Sequence, residues 1–492
     1  MTHAHTAFYA LAIAATSTLL FSTRAAAQNE QSRPSAKTPA SKLLAEADAI
    51  GSELVRIRGL TLDKPIKKGM YEREQLRETL LTKLAEEYSD SELARESRVF
   101  QRLGLLPQGF DYKATLLDLL TEQIAGFYDP DAAELYIMAG LPDSMQRPTM
   151  AHEIFHGIQD QHFPLNDLQE PFSAKTHTDF QLARSALVEG DATIVMLDFA
   201  LYESGDLPQP AAASVTDMTM ISAAVHNLSL NNLTALEKMM SGAPDAQQDS
   251  ALNSAPALLR ESLIFPYIAG MRFVFAARAS NAWTDVDAIY ADAPVSTEQI
   301  IHPERYFSKD MPVFLDFDLE PPEPFGKAPT YTNVMGEFQM YVWAREHLRG
   351  EIPGKPISKL DAAVAVEGWG GDKIIAFEDP RGSTLVAHMS AWDSRQEAKE
   401  FHDALIEGTT RRYAGIIQVP TPRKRSALSC YYAPTPAPHH LCIELRKNTV
   451  LYLDGLPAAD PKAPLDTILR LCGSAFSSLE VVDYDTAYKR AE

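Results

Sequence analysis

Apolar positions recur every three or four residues through the first part of the chain and gather into short strand-like runs in its last quarter. Leu43, Leu44, Ala47, Ile50, Leu54 and Ile57 share one face of a helix that Ser41 caps and that runs to about Arg58. Residues 65–71 read as a short strand, and helices follow at 73–88, 91–103 and 113–124, the second ended by Gly104. Gly126–Asp131 reads as a strand entering a tight turn, with Glu134–Met138 as its returning strand. Two longer helices come next. Asp143 or Ser144 caps the first, Pro148 suits its first turn and Pro164 stops it. Thr178 or Asp179 caps the second, whose body runs from Phe180 to about Phe199. An apolar helix at 262–279, a short turn from Ser296 to His302 and a helix at 336–348 complete the helical part. Beyond it, Ile374–Phe377, Thr384–Met389, Tyr413–Val419, His440–Leu445 and Val450–Asp454 are strand-like, while Ser394–Ile406 and Leu465–Leu471 are helical.

The pattern predicts an α+β protein in sections. Residues 42–312 form a mainly helical domain with a small β-hairpin or sheet, interrupted by a variable insertion at 205–256 rich in Pro, Ala, Ser and Asn. Residues 313–357 read as a proline-dense linker and a bridging helix, and 358–490 as a smaller α+β domain. Gly368-Trp369-Gly370-Gly371-Asp372 lacks phosphate-loop spacing and reads as a tight turn feeding the first strand of that domain.

Composition narrows the function classes. At 492 residues the chain is long enough for two or three domains, and a hydrophobic content of 45% supports their cores. A net charge of −21 argues against nucleic acid, whose phosphates it would repel. Residues 1–27 read as a secretory signal: Phe8–Phe21 is mainly apolar, and Ala25-Ala26-Ala27 is an A-x-A cleavage site. Residues 28–41 read as a flexible leader. The expected location is periplasmic or secreted, with no integral membrane segment once the signal is removed; an uncleaved anchor is the alternative, because no Lys or Arg precedes the apolar stretch. Of three cysteines, Cys430 and Cys442 flank a proline-rich loop, and export permits a disulfide between them; buried free thiols are the alternative.

The candidate chemistry lies in Ala151-His152-Glu153-Ile154-Phe155-His156-Gly157-Ile158-Gln159-Asp160-Gln161-His162. Residues four apart share a helix face, so His152 and His156 of this H-E-x-x-H can direct two imidazole nitrogens at one metal ion. Glu153 is placed as general base on an attacking water. Zn2+ suits neutral imidazole and carboxylate ligands and keeps an open position in catalytic sites. Two residues compete as third ligand. Glu189, in Leu187-Val188-Glu189-Gly190-Asp191-Ala192, would complete a two-His, one-Glu set, with Gly190 and Ala183, Ala186 and Ala192 allowing close packing against the first helix. His162 stands ten residues after His152, as in the H-E-x-x-H-x-x-G-x-x-H pattern, but Gln159 occupies that pattern's glycine.

These motifs resemble a group of exported bacterial gluzincin-type metallopeptidase domains, whose pattern is HExxHxxQDQ followed by EG[DE]A. Ala125-Gly126-Phe127-Tyr128-Asp129-Pro130 and Ser296-Thr297-Glu298-Gln299-Ile300-Ile301-His302-Pro303 extend the resemblance over roughly 50–310. It implies a zincin-like domain, a zinc-dependent hydrolase acting on a peptide or protein substrate, and His152, His156 and Glu189 as ligands. An oxyanion donor is needed as well, and His302 is the first candidate, ahead of Tyr306 and Tyr267. Zinc peptidases commonly bind an extended peptide along an edge strand, for which Leu135, Tyr136 and Ile137 are the candidates, a plain core hairpin being the alternative. Asp160 and Asp191 are candidate supports for the ligand histidines. The C-terminal domain carries no catalytic constellation and is a candidate contact for a cell-envelope partner. A reading of another class is a non-enzymatic binding protein with a structural or vestigial zinc site; the intact Glu153 counts against it.

Overall fold

The computed structural model describes residues 40–138, 143–204, 251–278, 283–349, 356–421 and 427–491. The signal at 1–27, the leader up to residue 39 and the insertion over 205–250 lie outside the described residues. The fold is mixed α+β, with a large sheet in its C-terminal part. Its first part contains α1 (Ala40–Arg58), β1 (Lys67–Tyr71), α2 (Arg73–Glu87), α3 (Asp90–Leu103), α4 (Tyr112–Gln123), β2 (Gly126–Asp129) and β3 (Glu134–Met138). Then come α5 (Asp143–His162), α6 (Thr178–Ser204), α7 (Ala251–Ser254), α8 (Ala257–Ala277), α9 (Trp283–Tyr290), α10 (Thr297–Ile301) and α11 (Pro303–Phe307).

The apolar face of α1 is spent as its spacing requires: Ala47, Ile50, Leu54 and Ile57 are all buried. Ser89 caps α3 in a reciprocal box with Glu92, and Gly104 ends that helix in the left-handed region at φ 76°. Pro148 falls inside α5 rather than in its first turn.

The small sheet corrects one expectation. β2 and β3 form the expected antiparallel hairpin, but β1 pairs in parallel with the far side of β3, Gly69 opposite Tyr136. The strand order is β1-β3-β2. β3 is therefore central, with both backbone edges taken, and Leu135, Tyr136 and Ile137 cannot receive a peptide by strand addition. Leu135 and Ile137 are buried, and the Tyr136 ring packs on Tyr71 and Phe127.

The small face of α6 meets a different neighbour from the one its sequence suggested. A Cβ on Gly190 would fall 2.1 Å from the Gly270 carbonyl carbon, and one on Gly270 would fall 1.9 Å from the Ala186 oxygen. Glycine at both positions lets the backbones of α6 and α8 touch, so Gly190 serves the crossing with α8 rather than contact with α5.

The remaining elements are β4 (Val313–Asp316), β5 (Tyr331–Asn333), α12 (Gly336–Arg349), β6 (Trp369–Glu378), β7 (Thr384–Trp392), α13 (Arg395–Arg412), β8 (Ile417–Val419), β9 (Leu428–Ala433), β10 (His439–Arg446), β11 (Thr449–Pro457), α14 (Asp466–Ser478), β12 (Glu480–Asp483) and α15 (Tyr484–Ala491). An antiparallel seven-stranded sheet runs β5-β6-β7-β11-β10-β9-β8, and β4 pairs with β12 in a separate ribbon. The segment read as linker thus contributes strands to both sheets.

Alternation along the strands divides the large sheet between two cores. Ile374, Ala376, Val386, Ile443, Val450 and Tyr452 face the core shared with the first part of the chain. Ile375, Phe377, Leu385, Met389, Leu451 and Leu453 face a second core completed by Ile468 and Leu471 of α14. Both faces are covered, which is why these strands read as near-continuous apolar runs. Cys430 and Cys442 stand opposite each other on β9 and β10 and form a disulfide, while Cys472 is free and buried. Among the described residues no helix is long and apolar enough to cross a membrane.

Candidate metal centre

Two buried helices build the site. α5 turns His152 and His156 to one side, as the spacing of four requires, and α6 brings Glu189 up to them. The start of α6 is fixed from a distance. The Thr178 amide donates to Asn333 Oδ1 at 2.8 Å and the Phe180 amide to His177 Nδ1 at 3.3 Å. Asp179, one of the two expected caps, instead accepts the Thr297 amide at 3.0 Å and ties α6 to α10.

His152 Nε2 lies 3.1 Å from Glu189 Oε2 and 3.0 Å from His156 Nε2, and His156 Nε2 lies 3.4 Å from Glu189 Oε1. Donor atoms sharing a tetrahedral ion at about 2.0–2.1 Å stand about 3.3 Å apart. With one such atom from each residue, the three lie within 4.8 Å of one another, and the group could hold a metal. All three side chains are buried. Glu153 is buried beside them, and neither of its carboxylate oxygens has a hydrogen-bond partner. A buried orphan acceptor pair is costly and marks a place where something else is meant to bind or react.

Burial pushes the Glu153 carboxyl up to about 8, with the Glu189 charge adding to it and His156 opposing it. Burial acts to lower His156, but the charge and hydrogen bond of Glu189, with Glu153 behind them, raise it to about 9. His152 is lowered by burial and by His156. Glu189 is lowered, because its two histidine neighbours outweigh burial. The four groups are one electrostatic unit. Gly126 of β2 allows the sheet this close: a Cβ there would stand 3.0 Å from Glu153 Cγ.

A hydrogen-bonded chain runs outward from His156. Its Nδ1 donates to Gln159 Oε1 at 2.7 Å, which leaves Nε2 as the nitrogen turned toward Glu189 and His152. The Gln159 amide nitrogen donates to Val188 O at 3.1 Å and to the Tyr290 hydroxyl at 2.7 Å, which fixes which end of the amide faces His156. Tyr290 donates to Asp191 Oδ2 at 3.0 Å, and Arg58 holds both Asp191 oxygens at 3.0 and 3.2 Å. Asp191 thus supports a histidine through Gln159 and Tyr290 rather than by direct contact. Tyr290 and Arg58 were not among the residues singled out from sequence. Gln159 stood in the HExxHxxQDQ pattern without a role, and its place three residues after His156 on the same helix face is the signal that could have given it one.

Other candidates fall elsewhere. His162 Nε2 lies 2.8 Å from Thr61 O, at the end of α5, and does not join the donor set. Asp160 accepts from the Tyr128 hydroxyl at 2.9 Å and the Leu165 amide at 3.0 Å. His302 Nε2 pairs with Glu337 at 2.9 Å, and no contact joins it to the cluster. The Tyr306 hydroxyl donates to Asp292 O. Of the three oxyanion candidates it is Tyr267, on α8, whose ring lies against His152, 6.0 Å between centroids.

Residues 323–464, which hold all seven strands of the large sheet, match a family model described as a domain of unknown function, DUF8575. No curated protein and no solved structure matches the chain.

Proposed function

We propose that the chain is an exported zinc-dependent metallopeptidase of gluzincin type, hydrolysing peptide or protein substrates. The observation that carries this reading is the convergence of two imidazole nitrogens and a carboxylate beside the buried, unpartnered Glu153. His152, His156 and Glu189 would hold the ion, and zinc suits that donor set. When bound, the ion supplies Lewis acidity that acidifies a water and polarises a carbonyl. Glu153 takes the proton of the attacking water and returns it to the leaving amine. Gln159 keeps the His156 tautomer that presents Nε2 inward. The helix pair, with a small sheet against α5, supports a zincin-like reading of the first part of the chain. The strand edge for an extended substrate moves from β3 to β2, which borders Glu153 and whose outer side has no strand partner among the described residues. The Cys430–Cys442 disulfide supports export, and the acidic charge leaves a cell-envelope protein a better partner for the C-terminal sheet than nucleic acid.

Complete burial of the four groups favours a second reading, a non-enzymatic binding protein with a structural metal. Structural sites are usually closed by four protein ligands, and among the described residues three converge here. Metal content and a mixed-peptide digest read by mass spectrometry, on one preparation, separate the two. Wild type is expected to carry one zinc and to cut peptides, Glu153→Gln to keep the zinc and lose cleavage, and His156→Ala to lose both. A zinc-loaded wild type that cuts nothing moves the second reading ahead, and a fully active Glu153→Gln sinks the mechanism.

A further inference from the structure

Apart from the metal centre, α3, α4, α6 and α8 enclose a cavity of about 110 Å³. Its wall is mostly apolar, with Leu93, Leu182 and Leu263 among its residues and the rings of Phe100 and Tyr112 packed edge to face. Glu96 is the one carboxylate on that wall, and no Lys, Arg or His lines it. No cationic side chain pairs with Glu96 among the described residues. The hydroxyls of Tyr112 and Tyr331 donate to it, yet burial prevails and pushes the carboxyl up to about 7. Ser185 also faces the cavity; it is buried, and its hydroxyl has no hydrogen-bond partner. Ser185 is therefore turned into an apolar space with no partner for its hydroxyl, and the Glu96 carboxylate has hydrogen bonds but no counter-charge, a costly arrangement unless a ligand completes it.

The chemistry of the wall selects the ligand. A carboxylate and a hydroxyl oxygen both accept N–H donors, and aromatic faces attract cations. An anion would be repelled by Glu96, and a purely apolar guest would leave Glu96 and Ser185 as they are. An apolar cavity of roughly 150 Å³ takes up benzene, so this one suits a guest no larger than a branched four-carbon amine. We propose that the cavity binds a small organic ammonium ion, its alkyl groups against Leu93, Leu182 and Leu263 and its N–H groups on Glu96 and Ser185. The site is distinct from the metal centre, although Ser185 lies one turn before Glu189 on α6. It goes beyond the peptidase reading and does not depend on it.

Calorimetric titration of the full, metal-loaded chain with tert-butylammonium and with its neutral isostere tert-butanol tests the proposal. One equivalent of tert-butylammonium is expected to bind, at least tenfold tighter than tert-butanol. Glu96→Gln keeps an acceptor for the two tyrosines and is expected to lose that tenfold preference. Leu182→Phe fills the cavity and is expected to abolish binding of both. Equal affinities of wild type for the two probes, no binding at all, or a Leu182→Phe variant that binds as wild type would each overturn the proposal. Zinc content of the same samples reports folding without reference to peptide cleavage, so failure here and failure of the peptidase reading are separate results. Should Glu96→Gln not fold, the two-probe comparison on wild type and Leu182→Phe still decides.

Discussion

Among the described residues, two of the buried acid–histidine clusters are built to opposite ends. In the C-terminal sheet, Asp454 of β11 is fully buried, as Glu189 is on α6. Its Oδ2 accepts from the hydroxyls of Tyr413 and Tyr452, each at 2.7 Å, and His439 Nε2 lies 2.9 Å from Oδ1. The guanidiniums of Arg102 and Arg412 stand 3.9 Å away. Protons and positive charge surround one carboxylate there. At the metal centre the balance is reversed: two carboxylates meet two imidazoles, no Lys or Arg among the described residues is paired with them, and both Glu153 oxygens lack a hydrogen-bond partner. Residue type does not separate these clusters, since each offers a carboxylate and histidine. The charge that meets the carboxylate does. Asp454 is met by two guanidiniums, and Arg102 ties the sheet to α3. The Glu189 cluster could hold a cation from outside.

Substitution at each acid tests that contrast. Glu153→Gln is expected to cost about 10²–10⁴-fold in peptide hydrolysis while leaving folding intact, because burial already disfavours the charge that the substitution removes. Asp454→Asn is expected to do the reverse. It leaves two guanidiniums short of a counter-ion, at about 3–5 kcal/mol of stability, with zinc binding unchanged in whatever fraction folds. Urea unfolding and metal analysis on both variants check this; equal loss of stability at the two sites would dissolve the distinction. Within the sheet, replacing Cys430 and Cys442 together by serine is expected to cost about 3 kcal/mol by releasing a short closed loop, again without effect on metal. Around the metal, Gln159→Ala frees the His156 tautomer and is expected to weaken zinc about 10–100-fold with little change in the urea midpoint of the zinc-loaded protein at saturating metal. A chelator competition reads that directly, and an unchanged zinc affinity would show that Gln159 only packs.

The sequence made one cluster visible and hid the other, for physical reasons. His152, Glu153 and His156 are close in sequence because a helix turn brings them together, so their geometry is legible from spacing alone. Glu189 was a choice between two residues, because no local rule says which helix packs where; the structure puts His162 out of reach of the cluster. Arg58 marked only the expected end of α1. Its partner Asp191 lies 133 residues further on, and nothing local announces the pair. The same holds for β3, an edge candidate until β1 returned from far upstream to cover it. In the C-terminal part, short apolar runs gave β6, β7, β10 and β11. β9 was missed: Ser429-Cys430-Tyr431-Tyr432 reads as the approach to a proline-rich loop until β10 pairs with it. Strand pairing between distant segments leaves a weaker local imprint than helix periodicity.

Acid titration gives the smallest effect and the sharpest check on the Asp454 half of the comparison. Burial alone would raise the Asp454 carboxyl, but His439 and then Arg102 and Arg412 outweigh it and hold it well below the usual carboxylate range. A carboxyl depressed in the folded state contributes stability that is fully present above its unfolded value, 3.8 for aspartate, and is lost as pH falls below it toward the folded value. Between pH 6 and pH 3 that loss amounts to about 1 kcal/mol, because over this range the unfolded chain takes up the proton and the folded chain does not. Other carboxyls titrate over the same interval, so the informative quantity is the difference between wild type and Asp454→Asn at each pH. That difference is expected to shrink by about 1 kcal/mol on going from pH 6 to pH 3. If it stays constant, Asp454 is no more acidic folded than unfolded. The cluster would then be held by its two tyrosine hydrogen bonds rather than by charge, and the contrast with the metal centre would rest on hydrogen-bond count alone.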